Sequence, residues 1–186
     1  MSLWDEKYRS GREISLEPLG LVAEAQATAK PGRALDLACG LGRHSFLLAA
    51  AGWDVTAVDS SQVAADILAG GNPPFSFVLA DLAARDFVIQ PAAWDLICKC
   101  QYLQRDLFAD IRAGVRPGGV FVASIAMHDE ADGLKPMNPA YLLEPGELLG
   151  EFKGWDIRRY SEERPNPNAR RVARLIAVRP PSNIEA

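Results

Sequence analysis

Residues 33–45 read RALDLACGLGRHS, an apolar run that ends in a turn of small residues. A helical stretch follows, and a second strand-like run over 55–58 stops at Asp59. This pattern predicts a strand, a helix and a second parallel strand, with a turn around Gly40 that lets a ligand approach the backbone. A carboxylate at the end of the second strand can accept hydrogen bonds from the two hydroxyls of a ribose. The stretch therefore predicts a site for a nucleoside-containing cofactor.

The residues around the glycines distinguish between cofactor classes. A nicotinamide-binding turn carries a third glycine at the position that Ser45 occupies here. Asp36 lies four residues before Gly40, where a carboxylate would repel a diphosphate but would suit a ligand with an ammonium or sulfonium charge. Two alternatives stay open: an NAD-dependent oxidoreductase, and a non-catalytic module that binds an adenosyl ligand.

The rest of the chain predicts an α/β fold. Strands are expected near 33–38, 54–59, 75–79, 94–98 and 120–125, and helices near 16–29, 43–51, 61–69 and 103–113. Strands that alternate with helices predict a Rossmann-like, doubly wound and mostly parallel sheet with helices on both faces. Residues 155–160 and 171–178 predict two more strands without a helix between them, and hence an antiparallel C-terminal hairpin. The expectation is a seven-stranded sheet in a single domain, residues 1–186.

Composition and charge argue against several function classes. The chain has 186 residues, 48% of them hydrophobic, and a formal net charge of −4, so a nucleic-acid partner is not expected. Its longest apolar stretch, 46–53, is too short for a membrane span, and the N-terminus lacks the features of a signal peptide. Cys39, Cys98 and Cys100 cannot all pair and show no metal-ligand spacing with the two histidines. We therefore expect a cytoplasmic protein without a metal site.

The string LDLACGLGRH at 35–44, followed about twenty residues later by Asp59, closely resembles the first motif of class I S-adenosylmethionine-dependent methyltransferases. The small-molecule enzymes related to tellurite-resistance and thiopurine methyltransferases are the most similar group. The opening WDEKY at 4–8 is similar to the W-D-x-x-Y start of the tellurite-resistance type, in which this segment folds over the cofactor and acceptor. The resemblance implies that residues 1–30 form an N-terminal lid. It also implies that S-adenosylmethionine is the cofactor and S-adenosylhomocysteine the product.

The resemblance further implies a role for residues at the carboxyl ends of the strands. The backbone of 38–42 would face the methionine part of the cofactor, and Asp59 would hold the ribose hydroxyls. Asp81 would accept a hydrogen bond from the adenine amino group, and Leu82 would offer its backbone amide. The expected cofactor-binding set is Asp36, Ala38, Cys39, Gly40, Gly42, Asp59, Ser60, Asp81, Leu82, Cys100 and Gln101.

The acceptor side is expected to involve His128, Tyr102 and Arg164, with a small acceptor that is anionic or soft (sulfur, selenium or tellurium). A soft acceptor needs little general-base help, whereas an oxygen or nitrogen acceptor usually needs its proton removed. A protein or RNA acceptor is disfavoured by the acidic body of the chain and by its lack of an added recognition domain. The string NPPF at 72–75 matches a box of amino-group methyltransferases, but it precedes the third strand instead of following the fourth. We interpret it as a proline loop.

Overall fold

One seven-stranded sheet organises the chain, in a computed structural model that describes residues 3–11, 14–129, 134 and 136–181. The strands are β1 Arg33–Leu37, β2 Asp54–Asp59, β3 Ser76–Leu79, β4 Trp94–Cys100, β5 Val115–Ala126, β6 Asp156–Glu163 and β7 Val172–Val178. Their order in the sheet is β3-β2-β1-β4-β5-β7-β6. The first five strands are parallel, and β7 runs antiparallel to both β5 and β6. The predicted doubly wound sheet and its closing hairpin are confirmed.

Helices cover both faces of this sheet. They are α1 Leu3–Ser10, α2 Gly20–Gln26, α3 Arg43–Ala50, α4 Gln62–Gly71, α5 Leu107–Gly114 and α6 Glu147–Glu151, with a 3₁₀ turn at Pro139–Tyr141. Apolar residues of α2 and α3 pack on one face, whereas those of α5 and α6 pack on the other. None of the helices among the described residues has the length and apolar character that crossing a membrane would require.

Side chains of the central strands alternate between the two cores. Along β1, Leu35 and Leu37 belong to the core beneath α5, whereas Ala34 belongs to the core beneath α3. Along β4, Cys98 and Cys100 also lie in the core beneath α3. Because successive residues of a strand point to opposite faces, Asp36 is directed towards α3 as well.

The helix boundaries differ from the predicted ones where tertiary contacts decide them. The helix predicted over 16–29 begins only at Gly20, because a residue before a proline disfavours the helical conformation and Pro18 follows Glu17. The helix predicted over 103–113 begins at Leu107, since before it the Gln104 side chain bonds to Tyr102 and to Leu82 in the loop after β3. The segment around Trp4 forms the helix α1, which the sequence pattern did not predict.

Candidate functional site

A cavity of about 250 Å³ opens at the carboxyl ends of β1, β2 and β4. The chain winds in opposite directions on either side of β1, and this reversal of strand order opens a crevice in sheets of this type. Most of the residues predicted for the site line the cavity together: Ala38, Cys39, Gly40, Asp59, Ser60, Asp81, Leu82, Cys100, Gln101 and Tyr102.

The β1–α3 turn forms one wall of the cavity with backbone conformations that side chains disfavour. The φ angles of Ala38 and Gly40 are 55° and 57°. The Cys39 amide donates to the Val58 carbonyl oxygen over 3.0 Å, which ties the turn to β2. A Cβ atom at Gly40 would lie 2.5 Å from the Tyr8 hydroxyl oxygen, so α1 approaches the turn as closely as a glycine allows. Strained backbone of this kind concentrates at ligand-binding sites.

Asp59 lies at the end of β2 and connects three parts of the site. Its Oδ2 accepts a hydrogen bond from the Gly40 amide over 2.8 Å, and its Oδ1 accepts from the Ser61 amide over 2.9 Å. Burial raises the pKa of this carboxyl, while the amide donors act in the opposite direction. Each carboxylate oxygen can accept more than one hydrogen bond. Asp59 can therefore hold the turn and still accept bonds from a ligand in the cavity.

Asp36 and Gly42, both predicted to contact the cofactor, are not among the cavity-lining residues. Asp36 is 1% exposed, and its Oδ2 accepts a hydrogen bond from the Ser45 hydroxyl over 2.7 Å. Burial raises the pKa of Asp36 from 3.8 to about 6. Gly42 caps α3 with a φ of 76°, and a Cβ there would lie 2.8 Å from the Phe75 ring. Both residues therefore shape the start of α3 from behind the cavity wall.

Helix α1 forms a second wall, made of Trp4, Lys7 and Tyr8. The rings of Trp4 and Tyr8 stack with centroids 5.8 Å apart, and the Lys7 ammonium lies 4.5 Å from the Trp4 ring centroid. The Ser61 hydroxyl donates to Asp5 over 2.6 Å and so fastens α1 to the start of α4. Burial, and then the nearby Asp59 charge, raise the pKa of the Tyr8 hydroxyl.

The opposite wall joins the loops that follow β3 and β4. The Tyr102 hydroxyl donates to Gln104 over 2.7 Å, and the Gln104 amide donates to the Leu82 carbonyl oxygen over 3.1 Å. Asp81 accepts from the Ala83 amide over 2.8 Å and so closes its own turn. Burial, and then the Asp81 charge, raise the pKa of Tyr102 to about 12.

Lys99 of β4 precedes Cys100 but lies behind this wall, because it is not among the residues that line the cavity. It is fully buried, donates to the Gln104 carbonyl oxygen over 3.3 Å and lies 4.2 Å from the Phe108 ring centroid. Burial lowers the pKa of its ammonium to about 7. The sequence signal for such a residue is a lysine inside the apolar strand WDLICKC, because a charge buried there needs specific partners.

The sequence analysis missed the positive charges at the cavity. Lys7 and Arg43 both line it, on the side of α1 and the β1–α3 turn, whereas Asp59 and Asp81 line the side formed by the ends of β2 and β3. The cavity therefore has one cationic and one anionic side. A ligand that carries a carboxylate at one end and a ribose with an adenine at the other complements this division.

His128 and Arg164, predicted for the acceptor side, are not among the residues that line the cavity. The exposed His128 follows β5, and its amide donates to the Leu143 carbonyl oxygen over 2.8 Å. Arg164 forms an ion pair with Asp129, a carboxylate that also accepts from the Arg171 amide over 2.8 Å. Of the three predicted acceptor-side residues, Tyr102 alone lines the cavity.

Residues 3–71 match the family model described as tellurite resistance protein TehB. A protein named Hemagglutinin 1 from Eikenella corrodens is 30% identical over 151 residues, which are 76% of this chain and 49% of that protein. The probable S-adenosyl-L-methionine-dependent methyltransferase TehB of Haemophilus influenzae is 26% identical over 171 residues, 84% of this chain and 57% of that protein. The chain spans about half the length of these two relatives.

Solved structures share the fold across nearly the whole chain. The crystal structure of TehB from Haemophilus influenzae superposes with a TM-score of 0.71 at 24% identity, covering 94% of this chain and 67% of that one. The 1,6-didemethyltoxoflavin-N1-methyltransferase of Burkholderia thailandensis, solved with S-adenosylhomocysteine and 1,6-didemethyltoxoflavin, superposes with a TM-score of 0.66 at 19% identity. That match covers 94% of this chain and 84% of the other. The chain is therefore similar to TehB in sequence and has the class I methyltransferase fold, as its first motif predicts.

Proposed function

We propose that the chain binds S-adenosylmethionine and transfers its methyl group to a small acceptor. The observation that carries this proposal is Asp59, a carboxylate at the end of β2 that faces the cavity and holds the β1–α3 turn through the Gly40 amide. A carboxylate at this position can accept from both hydroxyls of a ribose. Two relatives support the choice of cofactor: TehB is named a probable S-adenosyl-L-methionine-dependent methyltransferase, and the toxoflavin enzyme was solved with S-adenosylhomocysteine.

The proposed placement of the cofactor follows the charges of the cavity. The adenosine half would lie between the ends of β2 and β4, with its ribose at Asp59 and Ser60 and its adenine at Asp81 and Leu82. The methionine half would lie along the β1–α3 turn, near Cys100. The further residues of this set are Ala38, Cys39, Gly40 and Gln101 at the cavity wall, with Asp36 and Gly42 acting from behind it.

Lys7 and Arg43 are proposed to bind the carboxylate of the methionine half. Both line the cavity beside the β1–α3 turn. A cation placed there would also suit a diphosphate, so Lys7 and Arg43 alone do not argue against NAD. The start of α3 argues against NAD. Ser45 stands there in place of the third glycine of a dinucleotide-binding turn, and its hydroxyl donates to Asp36.

The cofactor would supply an electrophilic methyl group on a sulfonium centre, so this chain has to align the acceptor and exclude water. Trp4 and Tyr8 stack on each other at the cavity wall and offer apolar surface above the turn. We propose that they form the lid over the reacting groups. An aromatic face also stabilises a neighbouring positive charge, which suits a sulfonium.

The titratable groups at the cavity favour an acceptor that is already nucleophilic. Burial raises the pKa of Tyr8 and of Tyr102, the latter to about 12, so both hydroxyls stay protonated at neutral pH. His44 is 2% exposed, and burial lowers its pKa to about 4, which makes it a weak base. A thiolate or a selenium or tellurium species needs no strong base. We therefore propose a soft or anionic acceptor, which His128 and Arg164 would contact only if it extended beyond the cavity.

Turnover tests this proposal. The purified chain is incubated with S-adenosylmethionine and one acceptor at a time: a thiol, selenite, tellurite, an amine or a catechol, and S-adenosylhomocysteine is quantified. The expected result is product formation with a thiol or a chalcogen oxyanion that exceeds the blank without acceptor and is lost in Asp59→Asn. No product with any acceptor, in a chain that binds S-adenosylhomocysteine, would instead indicate a non-catalytic adenosyl-binding module.

The compartment is part of the same proposal. All three cysteines are free thiols and buried. Free thiols of this kind fit a reducing cytoplasm, where S-adenosylmethionine and small thiols would both be available to the chain.

A further inference from the structure

Two cysteines of β4 lie side by side beneath α3. Cys98 and Cys100 are two residues apart on one strand, so their side chains leave the same face. Both are buried in the core that α2 and α3 cover, and their Sγ atoms are 3.8 Å apart. Two residues of extended strand separate Cα atoms by roughly 6.6 Å, at the long end of the range for a disulfide. This pair is therefore poorly placed to oxidise to a disulfide with each other.

His44 completes a cluster with these two thiols. It occupies the first turn of α3, is 2% exposed, and its ligand nitrogen lies within 4.8 Å of both sulfur atoms. Its Nε2 is buried without a hydrogen-bond partner among the described residues. Buried polar atoms are nearly always paired, so the unpaired Nε2 of a histidine beside two thiols requires an explanation.

We propose that His44, Cys98 and Cys100 form a binding site for one thiophilic d¹⁰ cation, Zn²⁺ or Cu⁺. Thiolate and imidazole are the ligands that these ions prefer. With metal–sulfur bonds of about 2.3 Å, a tetrahedral centre sets two sulfur atoms about 3.8 Å apart, which matches the distance in this structure. The sequence predicted no metal site, because the histidine and the cysteines lie on different elements and the fold alone brings them together.

Charge and access are consistent with such an occupant. Two thiolates and a neutral imidazole cancel the charge of Zn²⁺ and leave one negative charge with Cu⁺, and the Asp36 carboxyl beside Cys98 adds a further attraction for a cation. His44 and Cys100 line the cavity, so an ion has a route in and a solvent or ligand atom can occupy a fourth position.

Metal titration of the full chain tests this site. The protein is reduced, stripped of metal with a chelator, and titrated in one arm with Co²⁺, followed by displacement with Zn²⁺. The other arm uses Cu⁺ under anaerobic conditions against a chromogenic competitor. The expected result is one equivalent bound per chain with thiolate-to-metal charge-transfer absorption. Binding in only one of the two titrations would identify the ion as Zn²⁺ or as Cu⁺. If the wild-type chain bound no metal in either titration, the proposal would be overturned.

The variants locate the site within the chain. Cys98→Ala combined with Cys100→Ala should abolish stoichiometric binding, and His44→Ala should weaken it at least tenfold. Cys39→Ala is the matched control, because Cys39 is the third buried cysteine but lies outside the cluster. One equivalent bound by the double cysteine variant would show that the metal lies elsewhere and would contradict the assignment. The wild-type titration is decisive even if a variant does not fold, and none of these readouts depends on the proposed methyl transfer.

Discussion

Two buried carboxylates lie on neighbouring strands, Asp36 on β1 and Asp59 on β2, and their hydrogen-bond partners differ. Asp59 accepts from two backbone amides and borders the cavity, whereas Asp36 accepts from the Ser45 hydroxyl behind the cavity wall. The sequence motif predicted a cofactor contact for both residues. In the structure, substitution of Asp59 should therefore affect ligand binding, whereas substitution of Asp36 should affect stability.

Replacing Asp59 by asparagine should weaken the binding of S-adenosylhomocysteine about ten- to hundredfold, because hydrogen bonds to a charged group contribute about 1.5–3 kcal/mol. Calorimetric titration measures the change. The control is Asp54→Asn, the same substitution at the exposed start of the same strand. Equal affinities in the wild type and in Asp59→Asn would contradict the proposed ribose contact.

Asp36→Asn should change how stability depends on pH. The pKa of Asp36 is raised from 3.8 to about 6 in the folded state, so this carboxyl binds its proton more tightly folded than unfolded. Its contribution to stability is therefore fully present below about pH 4 and is lost as the pH rises through 6. Denaturant unfolding of both proteins from pH 4 to 7 should show the wild type losing free energy of unfolding relative to Asp36→Asn. Parallel pH profiles would show that Asp36 is not perturbed.

At the scale of elements, α1 is fastened to the rest of the molecule at two points. Ser61 donates to Asp5 and also caps α4, since its hydroxyl accepts from the Ala64 amide over 3.1 Å. Tyr8 contacts the β1–α3 turn at Gly40. A helix of eight residues is marginal alone, so these contacts determine whether α1 forms the cavity wall.

Ser61→Ala should lower the free energy of unfolding by about 1 kcal/mol, with a range of roughly 0.5–2 kcal/mol for a lost N-cap. Chemical denaturation followed by circular dichroism measures this loss. Ser60→Ala is the neighbouring control, because Ser60 is exposed and its side chain does not cap α4. A loss in Ser60→Ala as large as that in Ser61→Ala would argue against the capping role.

Gly40→Ala should destabilise the fold, and Tyr8→Phe should recover part of that loss when the two are combined. The new Cβ would meet the Tyr8 hydroxyl at 2.5 Å, and removing that oxygen relieves the clash. The positive φ of residue 40 remains and costs about 1–2 kcal/mol in any L-residue. A double-mutant cycle of unfolding free energies measures the coupling. Strictly additive effects would show that α1 does not contact the turn as described.

At the scale of the whole molecule, the sheet could be predicted from the sequence because the strands at its centre contain apolar runs bounded by turn residues. Consecutive strands with a helix between them were predicted to be parallel, and the last two strands, which have none, were predicted to form an antiparallel hairpin. The turn at Gly40 and the carboxylate at Asp59 could be predicted because both belong to one contiguous unit. In each case the information is local to a short stretch of chain.

The missed features depend on contacts between distant parts of the chain. Helix α1 depends on Ser61, and the late start of α5 accompanies the bonds of Gln104 to Tyr102 and to Leu82 in the loop after β3. The contacts of the buried Lys99 and the His44 cluster were not predicted for the same reason, since a strand pattern does not show what faces it across the core. The residues that contact the acceptor are equally hard to predict from the sequence, because the whole fold positions the loops that carry them.

The central claim is that the cavity binds S-adenosylmethionine and not a dinucleotide. Calorimetric titration of the purified chain with S-adenosylhomocysteine, with NAD titrated in parallel, tests it most directly. We predict one S-adenosylhomocysteine bound per chain with micromolar affinity and no measurable heat with NAD. Absence of binding by S-adenosylhomocysteine, or tighter binding of NAD, would contradict the account and favour the oxidoreductase alternative.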